Sequence, residues 1–177
     1  MSLDTLVEAL PDYAKDLRLN YSSLVRQSTD LTPQQLWGTV VACAIATRND
    51  ALTAAALKDA EPQLSAEALA GAKTAAAIMS MNNIYYRFQH LCSNEKYATM
   101  PARLRMNGMR SHGADPVDFE LWSLAVSAIN GCGMCIDSHE KVLREKGASE
   151  EQILASVRVA SVLYALGTVL DALAVKE

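Results

Sequence analysis

Asp115-Pro116-Val117-Asp118-Phe119-Glu120-Leu121-Trp122-Ser123-Leu124-Ala125-Val126-Ser127-Ala128-Ile129-Asn130-Gly131-Cys132 is the stretch on which the fold turns. Asp115 is a cap residue, and Pro116 occupies the position after it, where a missing N–H costs nothing. The pattern predicts a helix that runs to about Ile129. Asn130-Gly131 breaks it. A second helix is expected from Cys132 to Lys146, with Gly147 as its stop. Beyond it, Ser149-Glu150-Glu151-Gln152 forms a capping box for a last helix ending near Ala174.

Working back towards the N-terminus, Thr32-Pro33-Gln34-Gln35 repeats the cap-then-proline pattern and opens a helix to about Thr47. Ser65-Ala66-Glu67 starts another, to about Arg87. Leu3 to Leu10 is helical, and Pro11-Asp12 reopens a helix through about Leu17. Residues 89–113 are mixed, with a short helix among loops. No element is assigned between Thr47 and Ser65. Half of the 177 residues are hydrophobic, much of that alanine, and aromatics make up only 6%. Alanine favours helices and contributes little to strand faces. The expected fold class is all-α.

A repeat at an offset of 85 residues suggests an internal duplication. Leu36-Trp37 matches Leu121-Trp122, Val41 matches Val126, Leu69-Ala70 matches Leu154-Ala155, and Ala75 matches Ala160. The repeats cover roughly 32–90 and 117–174, and neither half is large enough to bury its own apolar face well. One domain over residues 1–177 is therefore expected. At the same offset Thr47 answers Cys132, Asp50 answers Cys135 and Gln35 answers Glu120, so the first half has the scaffold without the chemistry. Trp37 and Trp122 are read as core anchors, and the methionines as core filler.

Net charge is −4, with no basic run and no interleaved basic and aromatic patch, which excludes nucleic acid and anionic membranes as expected partners. No stretch of 18 residues is free of charge, and no basic-then-apolar leader opens the chain. The expected localisation is cytoplasmic. Cysteines there are mostly reduced, so the four in this chain are read as catalytic, metal-binding or inert.

Chemistry concentrates in Cys132-Gly133-Met134-Cys135-Ile136-Asp137-Ser138-His139. Cysteines three apart at a helix start can close a small disulfide, and the free N–H groups and helix dipole there favour a thiolate. Cys132, Cys135 and His139 share one helix face, so the imidazole can take a thiol proton directly or through a water. Glu120, on the preceding helix, is the candidate that orients the imidazole; Asp118 and Asp137 are its competitors. A zinc site with Cys43, Cys92 or water as the fourth ligand, or an inert cysteine pair, are the alternatives. Cys43 is read as core, and His90 and His112 as surface or loop residues.

The run Phe119 to Cys132, followed by Cys135 and His139-Glu140, closely resembles the active-site segment of alkylhydroperoxidase D, in the carboxymuconolactone decarboxylase-like superfamily. The likeness continues through Leu10-Pro11 with Tyr13 to Asp16, Gln35 to Thr39, Ala46 to Asn49, Ala75 to Asn83 with Tyr86-Arg87, and Leu104 to Asn107. The resemblance implies a duplicated all-helical fold, assembled as a homotrimer or larger oligomer. It implies reduction of alkyl hydroperoxides and regeneration of a partner peroxiredoxin, the C component of alkyl hydroperoxide reductase. No cofactor is tightly bound; dihydrolipoamide, carried on a lipoylated acyltransferase and kept reduced by dihydrolipoamide dehydrogenase, is the implied reductant. Cys135 would be the peroxidatic cysteine that becomes a sulfenic acid and Cys132 the resolving cysteine and proton donor. His139 would be the general base, with Glu120 completing the relay. Some relatives carry His immediately before the second cysteine, where this chain has Met134. The alternatives are a redox- or zinc-sensing helical adaptor without turnover, or a decarboxylase-like enzyme of the same fold.

Overall fold

The computed structural model describes residues 1–175, which form nine α-helices joined by turns and short 3₁₀ or π segments, with no strand among them. In order these are α1 (Leu3–Glu8), α2 (Lys15–Tyr21), α3 (Pro33–Thr47), α4 (Asp50–Ala60), α5 (Ala66–Leu91), α6 (Lys96–Thr99), α7 (Pro116–Ile129), α8 (Gly133–Glu145) and α9 (Glu150–Ala174).

Local chemistry sets most of these bounds. The Thr32 and Ser149 side chains each accept from the backbone N–H three residues on, and Gln35 and Gln152 return a hydrogen bond to the cap backbone. Asp115 accepts from the N–H groups of Val117 and Asp118 and starts α7. Gly131 and Gly147 take φ of +64° and +84°, the left-handed conformation that ends α7 and α8 with no Cβ penalty.

Two expectations are corrected. Helix α4 fills the connection between Thr47 and Ser65: Arg48 turns left-handed, and Asn49 at once caps a new helix by accepting from Leu52 N at 2.7 Å. The second helix does not stop at Leu17 but runs through Tyr21 and continues as a π segment, Ser22–Gln27. Burial of Tyr21, whose hydroxyl donates to Asp4, holds that extension against the body of the fold.

Helices α3, α5, α7 and α9 make the centre. Helix α3 packs on the other three, and α7 also meets α5, α8 and α9. Trp122 of α7 is fully buried and donates from its indole N–H to the Gln35 carbonyl. Its ring leaves no room for a Cβ at Gly38 and lies 3.1 Å from where one would sit at Gly71. Two helices thus approach one tryptophan through glycine. Trp37 departs from expectation: it is only half-buried, beside a surface pocket, so it does not anchor the core as Trp122 does.

Helix α9 is long and apolar enough to span a membrane by length and composition alone. Half of that window is buried in the fold, however, with Ala155, Val159, Leu163 and Leu166 inside. Its apolarity is accounted for by packing on α3 and α7. Adding 85 to the residue numbers of α3, α4 and α5 gives 118–132, 135–145 and 151–176, ranges that lie within a few residues of α7, α8 and α9.

Candidate active site

Cys132 is the N-cap of α8 and Cys135 sits in its first turn; the two are joined by a disulfide with Cα atoms 5.3 Å apart. The Asn130-Gly131 break positions this pair. Cys132 N donates to the Ser127 carbonyl, and Asn130 donates to Asn83 Oδ1 of α5, whose own amide donates to Ser127 Oγ. A buried polar lattice therefore fixes the turn that presents the cysteines.

The same turn lays α8 back against α7. His139, buried on α8, places Nδ1 2.6 Å from Glu120 Oε2 on α7. A carboxylate can only accept, so Nδ1 carries the proton and Nε2 is left as the basic nitrogen. Nε2 lies 3.3 Å from Met79 Sδ of α5. Of the two competitors for Glu120, Asp118 is buried and accepts from Gln34 Nε2 at 2.7 Å, and Asp137 is exposed.

Cys135, Ser138, His139 and Met134 line a pocket of about 310 Å³ whose other walls are Met79, Asn82, Tyr86, Met106 and Met109. Cys132 is fully buried and does not line it. Cys135 is therefore the sulfur a small molecule reaches first. Four of the seven methionines face this pocket; Met79 is also part of the buried core and Met109 packs against it, as read, whereas Met106 and Met134 are pocket wall and not core filler. Thioethers are polarizable and adaptable, and suit an apolar guest of variable shape.

Cys43 is fully buried on α3, where burial pushes its thiol up, away from the reactive range. Cys92 caps the end of α5, half-buried and away from the pocket. His90 is exposed, while His112 stacks on Phe119 with ring centroids 3.9 Å apart. Among the described residues no group of three His, Cys, Asp or Glu is arranged to hold a metal ion.

With this geometry in view the comparisons with known proteins are direct. Residues 95–177 match the carboxymuconolactone decarboxylase family, a span that holds Glu120, Cys132, Cys135 and His139. A protein of Acidobacterium capsulatum called alkyl hydroperoxide reductase AhpD is 76% identical over 172 residues, covering 97% of this chain and 94% of its own. The chain belongs to the AhpD family. AhpD proteins of Koribacter versatilis and Solibacter usitatus are 62% and 58% identical, each over 97% of this chain and over 89% and 96% of their own lengths. The family match begins after Met79 and Asn82, so the α5 wall of the pocket in this AhpD-family chain lies outside the matched segment.

Proposed function

We propose that the chain is a thiol-dependent alkyl hydroperoxide reductase working through a Cys132/Cys135 dithiol–disulfide cycle. The observation that carries this reading is the redox pair itself. A closed disulfide stands at a helix start, one sulfur opens on an apolar pocket, and a Glu120-backed imidazole lines the same pocket. The name borne by the close relatives supports it.

In the reduced enzyme His139 Nε2 takes the proton of Cys135, and the N-terminus of α8 favours the resulting thiolate. The thiolate sulfur attacks the terminal oxygen of the hydroperoxide. An S–O bond forms and the O–O bond breaks; sulfur is oxidised by two electrons, and the alkoxide leaves as alcohol after taking a proton from the His139 imidazolium. The Cys132 thiol then displaces water from the Cys135 sulfenic acid and closes the disulfide. Glu120 holds the imidazole in the productive tautomer and stabilises its charged form.

The disulfide is reopened by thiol exchange with a dithiol. Dihydrolipoamide is the donor we assign, supplied by a lipoylated acyltransferase and dihydrolipoamide dehydrogenase, and a peroxiredoxin is the macromolecular acceptor. Both assignments rest on the likeness to alkylhydroperoxidase D, and the pocket beside Cys135 is walled largely by apolar side chains.

The test is peptide mapping of the reduced protein before and after one equivalent of an organic hydroperoxide. A Cys132–Cys135 disulfide formed within the mixing time supports the cycle. Both thiols remaining free overturns it.

A further inference from the structure

Asn82 and Asn83 are adjacent on α5, and both are buried. Asn83 is fully employed: its amide nitrogen donates to Ser127 Oγ and its oxygen accepts from Asn130. Asn82 is not. Its Nδ2 meets only the sulfur of Met109, at 3.4 Å, and its Oδ1 is buried with no hydrogen-bond partner. The residue is only 3% exposed and lines the pocket that holds Cys135 and His139. An orphaned buried acceptor costs about 1–3 kcal/mol, so a residue that keeps one beside a reactive sulfur needs a reason.

The neighbouring polar groups share a trait. Tyr86 Oη faces Met106 Sδ at 3.7 Å, His139 Nε2 faces Met79 Sδ at 3.3 Å, and Asn82 Nδ2 faces Met109 Sδ. Each meets a thioether on a side chain with three rotatable bonds; Tyr86 and Asn82 donate to this weak acceptor, and the unprotonated His139 Nε2 merely abuts it. Such contacts yield readily to an incoming oxygen. Nothing in the pocket, however, donates to Asn82 Oδ1.

We propose that Asn82 is a substrate-binding residue whose unpartnered Oδ1 accepts the terminal O–H of an organic hydroperoxide, with the organic group lodged among Met106, Met109 and Met134. The proposal rests on the peroxide reading above. A hydroperoxide has one O–H, on the oxygen that the thiolate attacks. Anchoring that O–H on α5 presents its oxygen to Cys135 on α8 and leaves the carbon-bearing oxygen to depart. The proton in this hydrogen bond stays on its oxygen and becomes the sulfenic acid hydrogen, so Asn82 itself exchanges no proton. Met109 swings from the amide as the ligand enters.

Two experiments bear on this. In the first, Asn82→Leu and Asn82→Ala are reduced, and thiol loss is followed by rapid quench with cumene hydroperoxide. Each should react about tenfold more slowly than wild type, what one neutral hydrogen bond supplies. Reduction of the preformed disulfide by dithiothreitol should stay at the wild-type rate. Oxidation at the wild-type rate, or equal losses in both half-reactions, overturns the proposal. The second uses wild type alone and stands even if neither variant folds. Cumyl alcohol should compete with the hydroperoxide, and its methyl ether, which lacks the O–H, should compete several-fold less well; equal competition overturns the proposal. Wild-type protein that does not react with the hydroperoxide at all overturns the peroxide reading and this inference with it.

Discussion

In the proposed cycle Glu120, His139 and Cys135 act as a chain in which each group sets the state of the next. The Glu120–His139 contact at 2.6 Å fixes which nitrogen is basic, and His139 lines the pocket into which Cys135 opens. Losing a positioned base costs about 100- to 10,000-fold in rate. His139→Ala should cripple turnover, and Glu120→Gln, which keeps the size and removes the charge, should weaken it by a smaller, clear factor. Both deficits should shrink as pH rises towards roughly 8.5, where a free thiol ionises unaided. Rate against pH for the three proteins checks this; wild-type rates at neutral pH from folded variants would leave the helix N-terminus as the only activator. Cys135 and His139 were legible because their spacing on one helix carries the chemistry, and Glu120 because the Asn130-Gly131 break can fold its helix back alongside theirs. Met79 and Asn82 were not, because only the packing of α5 against α7 and α8 brings them to Cys135. The Asn82-Asn83 doublet did leave a signal, since two poor helix formers inside an alanine-rich helix call for a tertiary reason.

At the scale of elements, α7 brings both the core tryptophan, Trp122, and the relay carboxylate, Glu120. Its bounds were readable from Asp115-Pro116 and Asn130-Gly131, because caps and breakers act through local chemistry. Helix α4 was not foreseen: only Arg48 and Asn49 separate it from α3, and Arg48 supplies the left-handed turn usually given by glycine. The contact of α3 with α7 through Gly38 yields a second prediction. A methyl group there would overlap the Trp122 indole, so Gly38→Ala should destabilise the fold by about 1–3 kcal/mol despite alanine's better helix propensity, seen as a lower melting temperature. A third concerns the approach to α7. Burial, chiefly, holds His112 below its ordinary value of 6.5, with Glu120 and Asp115 opposing it more weakly. Near and just below pH 6.5 the unfolded chain then binds more protons than the folded one, so stability rises with pH through that window. The contribution is complete above 6.5 and is lost as the pH falls through the lower folded value. His112→Phe should keep the stacking on Phe119 and flatten the melting temperature against pH between about 5 and 7.

For the whole molecule, the outer surface of α5 and α9 exposes large apolar side chains. Ile84, Phe88 and Leu91 follow one another at helical spacing with 55%, 51% and 74% of their surface exposed, and Tyr164 of α9 lines a pocket with Ile84. The expected assembly is a homotrimer, so light scattering at micromolar concentration should give about three times the 19.1 kDa chain mass, and a monomer would refute it. The offset of 85 residues led to the same three-helix order in both halves; the disulfide pair, His139 and Glu120 all lie in the second, while α5 of the first supplies one wall of their pocket. The central claim is that the chain turns over as a dithiol enzyme drawing electrons from a lipoyl group. It is tested most directly by NADH consumption in a mixture of the protein, lipoamide, dihydrolipoamide dehydrogenase and an organic hydroperoxide. Sustained NADH oxidation that needs every component and disappears in Cys135→Ser is the predicted result; a rate no higher than that of the mixture without the protein would contradict the account.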